Sequence, residues 1–338
     1  MHFGIFQNWG LGDLIMTTPV IAEFRRLYPD ARLTLVVKAG AQANLLKESP
    51  LIDQILVMPA RSDRTAMIRF FLALRKEKLD VAFIGTRISA LLPCLLKGLS
   101  GVPVVVGDGQ RARFVYNVRN SIDPQVHRVD RMLATFSMWS GEATTRPSFP
   151  LPFSEVALAE VRSDLKDKGL EPGRFVIIHP GSSVTAGTEK RIPVEVARRI
   201  AAELTMRRPE LTVAYIFGPD EIDLMDSFDD LSRSETNISG YSLPSTIAAI
   251  TQAAGLIGTD SSLGHIAASF GIPTVTLCGP TIATETSPYG EKATVITRLE
   301  AMDCQPCWGT PLYGQCPYDV RCMKELPELD VVSIAAGW

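Results

Sequence analysis

Short uninterrupted apolar runs alternate with longer stretches whose apolar positions recur every three or four residues, and this alternation runs through both halves of the chain. In the first half, His2 to Phe6, Arg32 to Val37, Gln54 to Val57, Val81 to Ile84 and Val104 to Val106 read as strands. Between them Gly12 to Leu27, Ala41 to Glu48, Ser62 to Lys78 and Ser89 to Lys97 carry helical spacing, so the pattern predicts a doubly wound parallel sheet. The pattern lapses at Thr144 to Phe153, a proline-rich stretch with neither period, which marks a linker. A helix from Ser154 to Lys168 then opens a second series, with strands at Phe175 to His179, Thr212 to Phe217, Gly255 to Gly258 and Thr274 to Leu277. The expected organisation is α/β, with domains at 1–150 and 151–315, loops of each facing a shared cleft, and a further segment at 316–338.

Composition narrows the class without changing this picture. The 338 residues exceed what one core usually supports, and a net charge of −3 offers no global basic excess for nucleic acid. The chain opens directly on a strand and shows no signal-peptide pattern, and its most apolar stretch, Ile88 to Gly107, is broken by Pro93, Lys97, Gly98, Gly101 and Pro103. These features favour a cytoplasmic protein. Cys94 and Cys278 stand alone in apolar contexts and read as buried thiols.

Candidate chemistry lies where strands end and helices begin. After the first strand, Gln7 to Asp13 places Gly10 and Gly12 where a dinucleotide fingerprint would begin, but Ile15 occupies the third glycine position and no acid ends the second strand. A nicotinamide-dependent oxidoreductase is therefore the weaker alternative. Asp13 is instead a carboxylate at a helix start, suited either to capping that helix or to acting as a base. After Phe175 to His179, the loop carrying Ser182, Ser183, Thr185, Thr188, Lys190 and Arg191 offers hydroxyls and cations ahead of a helix near Pro193, the makings of a pyrophosphate cradle. Glu221, in an acidic loop after another strand, is a candidate for ribose hydroxyls. Asp260, Ser261, Ser262 and His265 open a short helix beyond a buried strand, where a parallel sheet binds ligands; capping by a serine and packing by the histidine are the plainer roles.

The order of GLGDLIMTTP (Gly10 to Pro19), HPGSS with EKRIP (His179 to Pro193), and GTDSSLGHIAASFGIP with GPT (Gly258 to Thr281) resembles the heptosyltransferases of glycosyltransferase family 9 over nearly the whole chain. The resemblance implies a GT-B fold of two Rossmann-like domains, with the C-terminal segment 316–338 crossing back to the first. It also implies an inverting transfer of heptose from ADP-heptose to a lipopolysaccharide-core acceptor at the inner face of the inner membrane. On it Asp13 is the catalytic base, Lys190 contacts the donor phosphates, and Asp260, Ser261, Ser262 and His265 form the donor-binding loop; Gly12, which lets the backbone approach a ligand, is a substrate-binding candidate from its own loop. Ile192 departs from the pattern, standing where a tryptophan is common. A nucleotide-sugar binding module without activity is the remaining alternative.

An inverting transfer needs one carboxylate to deprotonate the acceptor and positive groups to receive the leaving diphosphate. No two aspartates are separated by a single residue, so the usual metal-holding pair is missing and the expected transfer needs no cofactor. A basic stretch with Arg61, Arg64, Arg69, Arg75, Lys76 and Lys78 beside apolar residues suits an anionic glycolipid acceptor or lipid headgroups, or simply a solvated helix face. Near the C-terminus, Cys304, Cys307, Cys316 and Cys322 have spacing able to wrap one tetrahedral ion, leaving zinc, iron or reduced thiols as a structural feature.

Overall fold

The computed structural model describes residues 1–7, 9–85, 91–107, 113–120, 123, 125–147, 149, 151–184 and 187–338. The chain forms two compact units, Met1–Pro152 and Phe153–Trp338, so the boundary falls inside the proline-rich stretch.

The first unit runs β1 (His2–Gln7), α1 (Leu11–Leu27), β2 (Arg32–Val37), α2 (Gly40–Leu46), β3 (Gln54–Val57), α3 (Arg64–Leu74), β4 (Val81–Ile84), α4 (Leu91–Gly98), β5 (Val104–Gly107), β6 (Val118–Arg119) and α5 (Arg128–Ser140). The second runs α6 (Glu155–Asp167), β7 (Phe175–His179), α7 (Val194–Arg207), β8 (Thr212–Tyr215), α8 (Ile222–Met225), β9 (Glu235–Asn237), α9 (Leu243–Gln252), β10 (Gly255–Thr259), α10 (Ser262–Ser269), β11 (Thr274–Leu277), α11 (Ala283–Thr286), β12 (Ala293–Ile296), α12 (Arg321–Lys324) and α13 (Glu328–Ala335). Each unit holds a six-stranded sheet, ordered β3-β2-β1-β4-β5-β6 and β12-β11-β10-β7-β8-β9, with every pairing parallel. Two Rossmann-like units in succession make this a GT-B fold.

The central strands are continuous apolar runs because helices cover both faces of each sheet. All residues of β1, β4, β7, β10 and β11 are buried. Strand order reverses between β1 and β4 in one sheet and between β7 and β10 in the other, and the crevice beyond such a reversal is where an open parallel sheet takes ligands. The candidate loops of the sequence leave β1, β7 and β10.

Several expectations need correction. The periodic stretch Ser62 to Lys78 is helical only from Arg64, where Asp63 caps it by accepting from the Ala66 N–H at 2.8 Å, and it ends in a single tighter turn at Arg75–Glu77. The short outer strands β6, β9 and β12 escape the apolar pattern because edge strands bury little. Within the second unit, Val331, Val332 and Ala335 of α13 join Val196, Ile200 and Leu204 of α7 in one core. The terminal Trp338 lies over the start of β10, where a Cβ on Gly255 would come within 2.0 Å of its ring. Cys278 is buried, but Cys94 is exposed, on the outward face of α4 opposite Leu92 and Leu96.

Candidate functional site

In the first unit, Asp13 occupies the first turn of α1, and one of its oxygens reaches back to accept from the Gly10 N–H at 3.2 Å. A Cβ on Gly10 would stand 3.3 Å from that carboxylate, a close but not forbidden approach. The other oxygen meets Arg128 Nη1 at 2.5 Å, a partner delivered by the start of α5, 115 residues away in sequence. Arg128 is almost wholly buried whereas Asp13 keeps 19% of its side chain accessible. A carboxylate accepts about four hydrogen bonds, so these two contacts fix Asp13 without exhausting it. Gln7 Nε2 donates to the Asp13 carbonyl at 3.1 Å and to Thr17 Oγ1 at 2.9 Å, and Gln42 Nε2 donates to the Gly10 carbonyl at 3.1 Å. Gly12, one residue before Asp13, lies in the same half-buried turn.

In the second unit, the loop after β7 and the start of α10 converge on the β7–β10 crevice. Lys190 ends a short turn, Thr188–Lys190, and its Nζ donates to the Asp260 carbonyl at 2.8 Å while lying 5.3 Å from the ring centre of Trp308. Ser261 is the N-cap of α10, yet its hydroxyl makes no bond to the helix N–H groups. It pairs instead with His179 Nδ1 at 3.1 Å, and His179 Nε2 lies 3.1 Å from Glu221 Oε2. Glu221 also accepts from the Gly218 N–H at 2.6 Å. Burial pushes the Glu221 carboxyl up, but His179, the Gly218 N–H and Arg191 outweigh it, leaving the group below the usual glutamate range. Gly181 is required beside it, for a Cβ there would fall 2.3 to 2.5 Å from the carboxylate.

The remaining candidates separate. Ser182 is buried and its hydroxyl is committed to the Gly187 carbonyl at 2.8 Å; Ser183 donates to Asp220 at 3.2 Å. Thr188 is exposed at the head of the Lys190 turn, Ser262 opens α10, and His265 is buried in it. Thr185 lies outside the described residues. Glu221, expected to offer a ribose-facing carboxylate, is 4% exposed and holds His179. Arg128, His179 and Trp308 are missing from the sequence reading. His179 ends a buried strand inside a quoted motif and was detectable there; nothing local to Arg128 or Trp308 signals their partners.

The four cysteines expected to form a tetrahedral site gather in one region of the second unit. Cys307 and Cys322 are buried and Cys304 and Cys316 are half-buried, close enough to disfavour one another's ionisation. Cys322 joins the apolar core around α7, its sulfur 2.8 Å from where a Cβ on Gly279 would lie, and Cys316 Sγ accepts from the Val320 N–H at 3.4 Å. Among the described residues, no three His, Cys, Asp or Glu side chains are grouped to hold a metal ion.

Two successive Rossmann-like units, each with its candidate loops at a strand reversal, place the chain in the GT-B class of folds. The sequence profile of glycosyltransferase family 9 (heptosyltransferase) matches residues 67–312, and the chain belongs to that family. Lipooligosaccharide heptosyltransferase 2 of Campylobacter jejuni subsp. jejuni serotype O:2 is 23% identical over 341 residues, covering 96% of this chain and 94% of its own. Among solved structures, a family 9 glycosyl transferase from Veillonella parvula DSM 2008 superposes with a TM-score of 0.81 at 19% identity, covering 99% of this chain and 96% of that one. The E. coli ADP-heptose LPS heptosyltransferase II gives a TM-score of 0.70 at 20% identity, covering 100% and 99%. Family membership sets aside the oxidoreductase and the inactive binding module. No described helix is long and apolar enough to cross a membrane.

Proposed function

We propose that the chain transfers heptose from ADP-heptose to a lipopolysaccharide-core acceptor with inversion, without a metal, at the cytoplasmic face of the inner membrane. Asp13 takes the acceptor hydroxyl proton as that oxygen attacks the anomeric carbon. Lys190 and the N–H groups opening α10 receive the departing diphosphate, whose charge they offset in place of a divalent ion. The observation that carries this reading is the Lys190 ammonium bound to the Asp260 carbonyl, which sets a fixed positive charge beside the α10 N-terminus at the β7–β10 reversal. Ser183 and Thr188 border the same loop. For the acceptor, α3 offers Ile68 and Leu72 exposed beside Arg64 and Arg69, a surface suited to an anionic glycolipid or headgroups.

The test is a screen of nucleotide sugars against the purified chain, with thermal stabilisation by ADP compared with NAD. Turnover with ADP-heptose that vanishes in Asp13→Ala while ADP binding persists supports the reading. Stabilisation by NAD alone, or full turnover in Asp13→Ala, overturns it.

A further inference from the structure

The chain Glu221–His179–Ser261 links three loops across the β7–β10 crevice and offers two arrangements of its protons. A carboxylate only accepts, so His179 Nε2 carries a hydrogen and donates it to Glu221 Oε2. The other ring nitrogen decides the direction of the serine. With Nδ1 bare, it accepts the Ser261 O–H, and the hydroxyl turns only lone pairs outward. With Nδ1 protonated, the ring donates to Ser261 Oγ, and the hydroxyl hydrogen is released to point toward whatever sits at the start of α10.

An anion at that position distinguishes the two arrangements. It is repelled by outward lone pairs and attracted by an outward O–H backed by an imidazolium and a buried carboxylate. The charged and titratable groups on the surrounding elements include Glu221 and Asp220 before α8, Asp223 within it, Glu189, Lys190 and Arg191 ahead of α7, Asp260 at the end of β10, His265 in α10, Cys278 beyond β11, and Tyr313, which feels both Glu189 and Asp260. Arg191 is paired with Asp223 at 2.6 Å, and burial, then Asp260, keep the Cys278 thiol protonated. A diphosphate therefore adds the largest new charge to this neighbourhood.

We propose that His179 is a positioning residue that couples donor binding to proton uptake. As the diphosphate seats, one proton from solvent is taken up at Nδ1, and the Ser261 hydroxyl hydrogen rotates from His179 to a phosphate oxygen. No other bond changes. This inference rests on the reading of the crevice as the diphosphate site.

Calorimetry of ADP binding to the full chain, at about pH 8 where free histidine is neutral, in two buffers of different ionisation enthalpy, counts the protons. The wild-type chain takes up a net fraction of a proton approaching one, and both His179→Asn and Glu221→Gln bring the count near zero. Ser261→Ala weakens ADP about tenfold, the size of one charge-assisted hydrogen bond. A merely structural His179 would weaken ADP in His179→Asn and leave the count unchanged, which overturns the proposal. Should His179→Asn fail to fold, Glu221→Gln gives the same comparison. If ADP binding is weakened by Lys190→Ala and the count is equal in all variants, this inference alone fails; if ADP binding ignores Lys190, the diphosphate reading fails and takes this inference with it.

Discussion

Arg128 Nη1 and Asp13 Oδ1 stand 2.5 Å apart, tying the first turn of α5 to the first turn of α1. The arginine is buried and the carboxylate is partly open, so the pair holds an acid in place while leaving it reachable. Breaking such a pair from the arginine side leaves a carboxylate without its counter-charge.

Arg128→Ala is accordingly expected to lower both stability and turnover, whereas Arg128→Lys, which keeps a charge but not the planar fork, retains part of each. Thermal unfolding and initial rates on the two variants check this. Equal rates in Arg128→Ala and wild type would remove Arg128 from the site.

Asp13→Asn keeps the shape and loses the basic oxygen. Turnover should drop by about a hundred- to ten-thousand-fold, the usual worth of a general base, with the affinity for ADP unchanged. Steady-state kinetics alongside ADP titration separate the two effects.

Lys190→Ala should raise the dissociation constant of ADP by about tenfold or more, the scale of a charged hydrogen bond. The Asp260 carbonyl loses its donor in the same change. Lys190→Arg keeps the charge on a wider head beside Trp308, so a partial recovery is expected.

Gly181→Ala drives a methyl into the Glu221 carboxylate. The expected cost is about 1–3 kcal/mol of stability, as for other overpacked sites, together with weaker ADP binding as the His179 contact shifts. A variant with wild-type unfolding and binding would contradict the tight approach.

Acid sensitivity follows from the lowered Glu221 carboxyl. Its proton is held more weakly in the folded chain than in the unfolded one, so its charge stabilises the fold above about pH 4.3, the ordinary glutamate value. That contribution fades as pH falls through the lower folded value. Glu221→Gln should therefore give a shallower loss of unfolding temperature on acidification than wild type, read from melts between about pH 3 and 6.

The alternation of apolar runs and helical spacing reveals both sheets because each central strand is buried on two faces and each helix on one, so burial writes itself directly into the local pattern. Gly10, Asp13, Lys190 and the Asp260–Ser262 turn are legible for a related reason: strand ends and helix starts demand glycines, caps and charges of recognisable type. What the pattern leaves open is which distant groups meet. Only the folded chain brings Arg128 to Asp13 and Trp308 to Lys190, turns Glu221 inward onto His179, and gathers Cys304, Cys307 and Cys316 near Cys322. The longest of those pairings span well over a hundred residues of sequence and depend on strand order and helix packing, which local spacing does not encode.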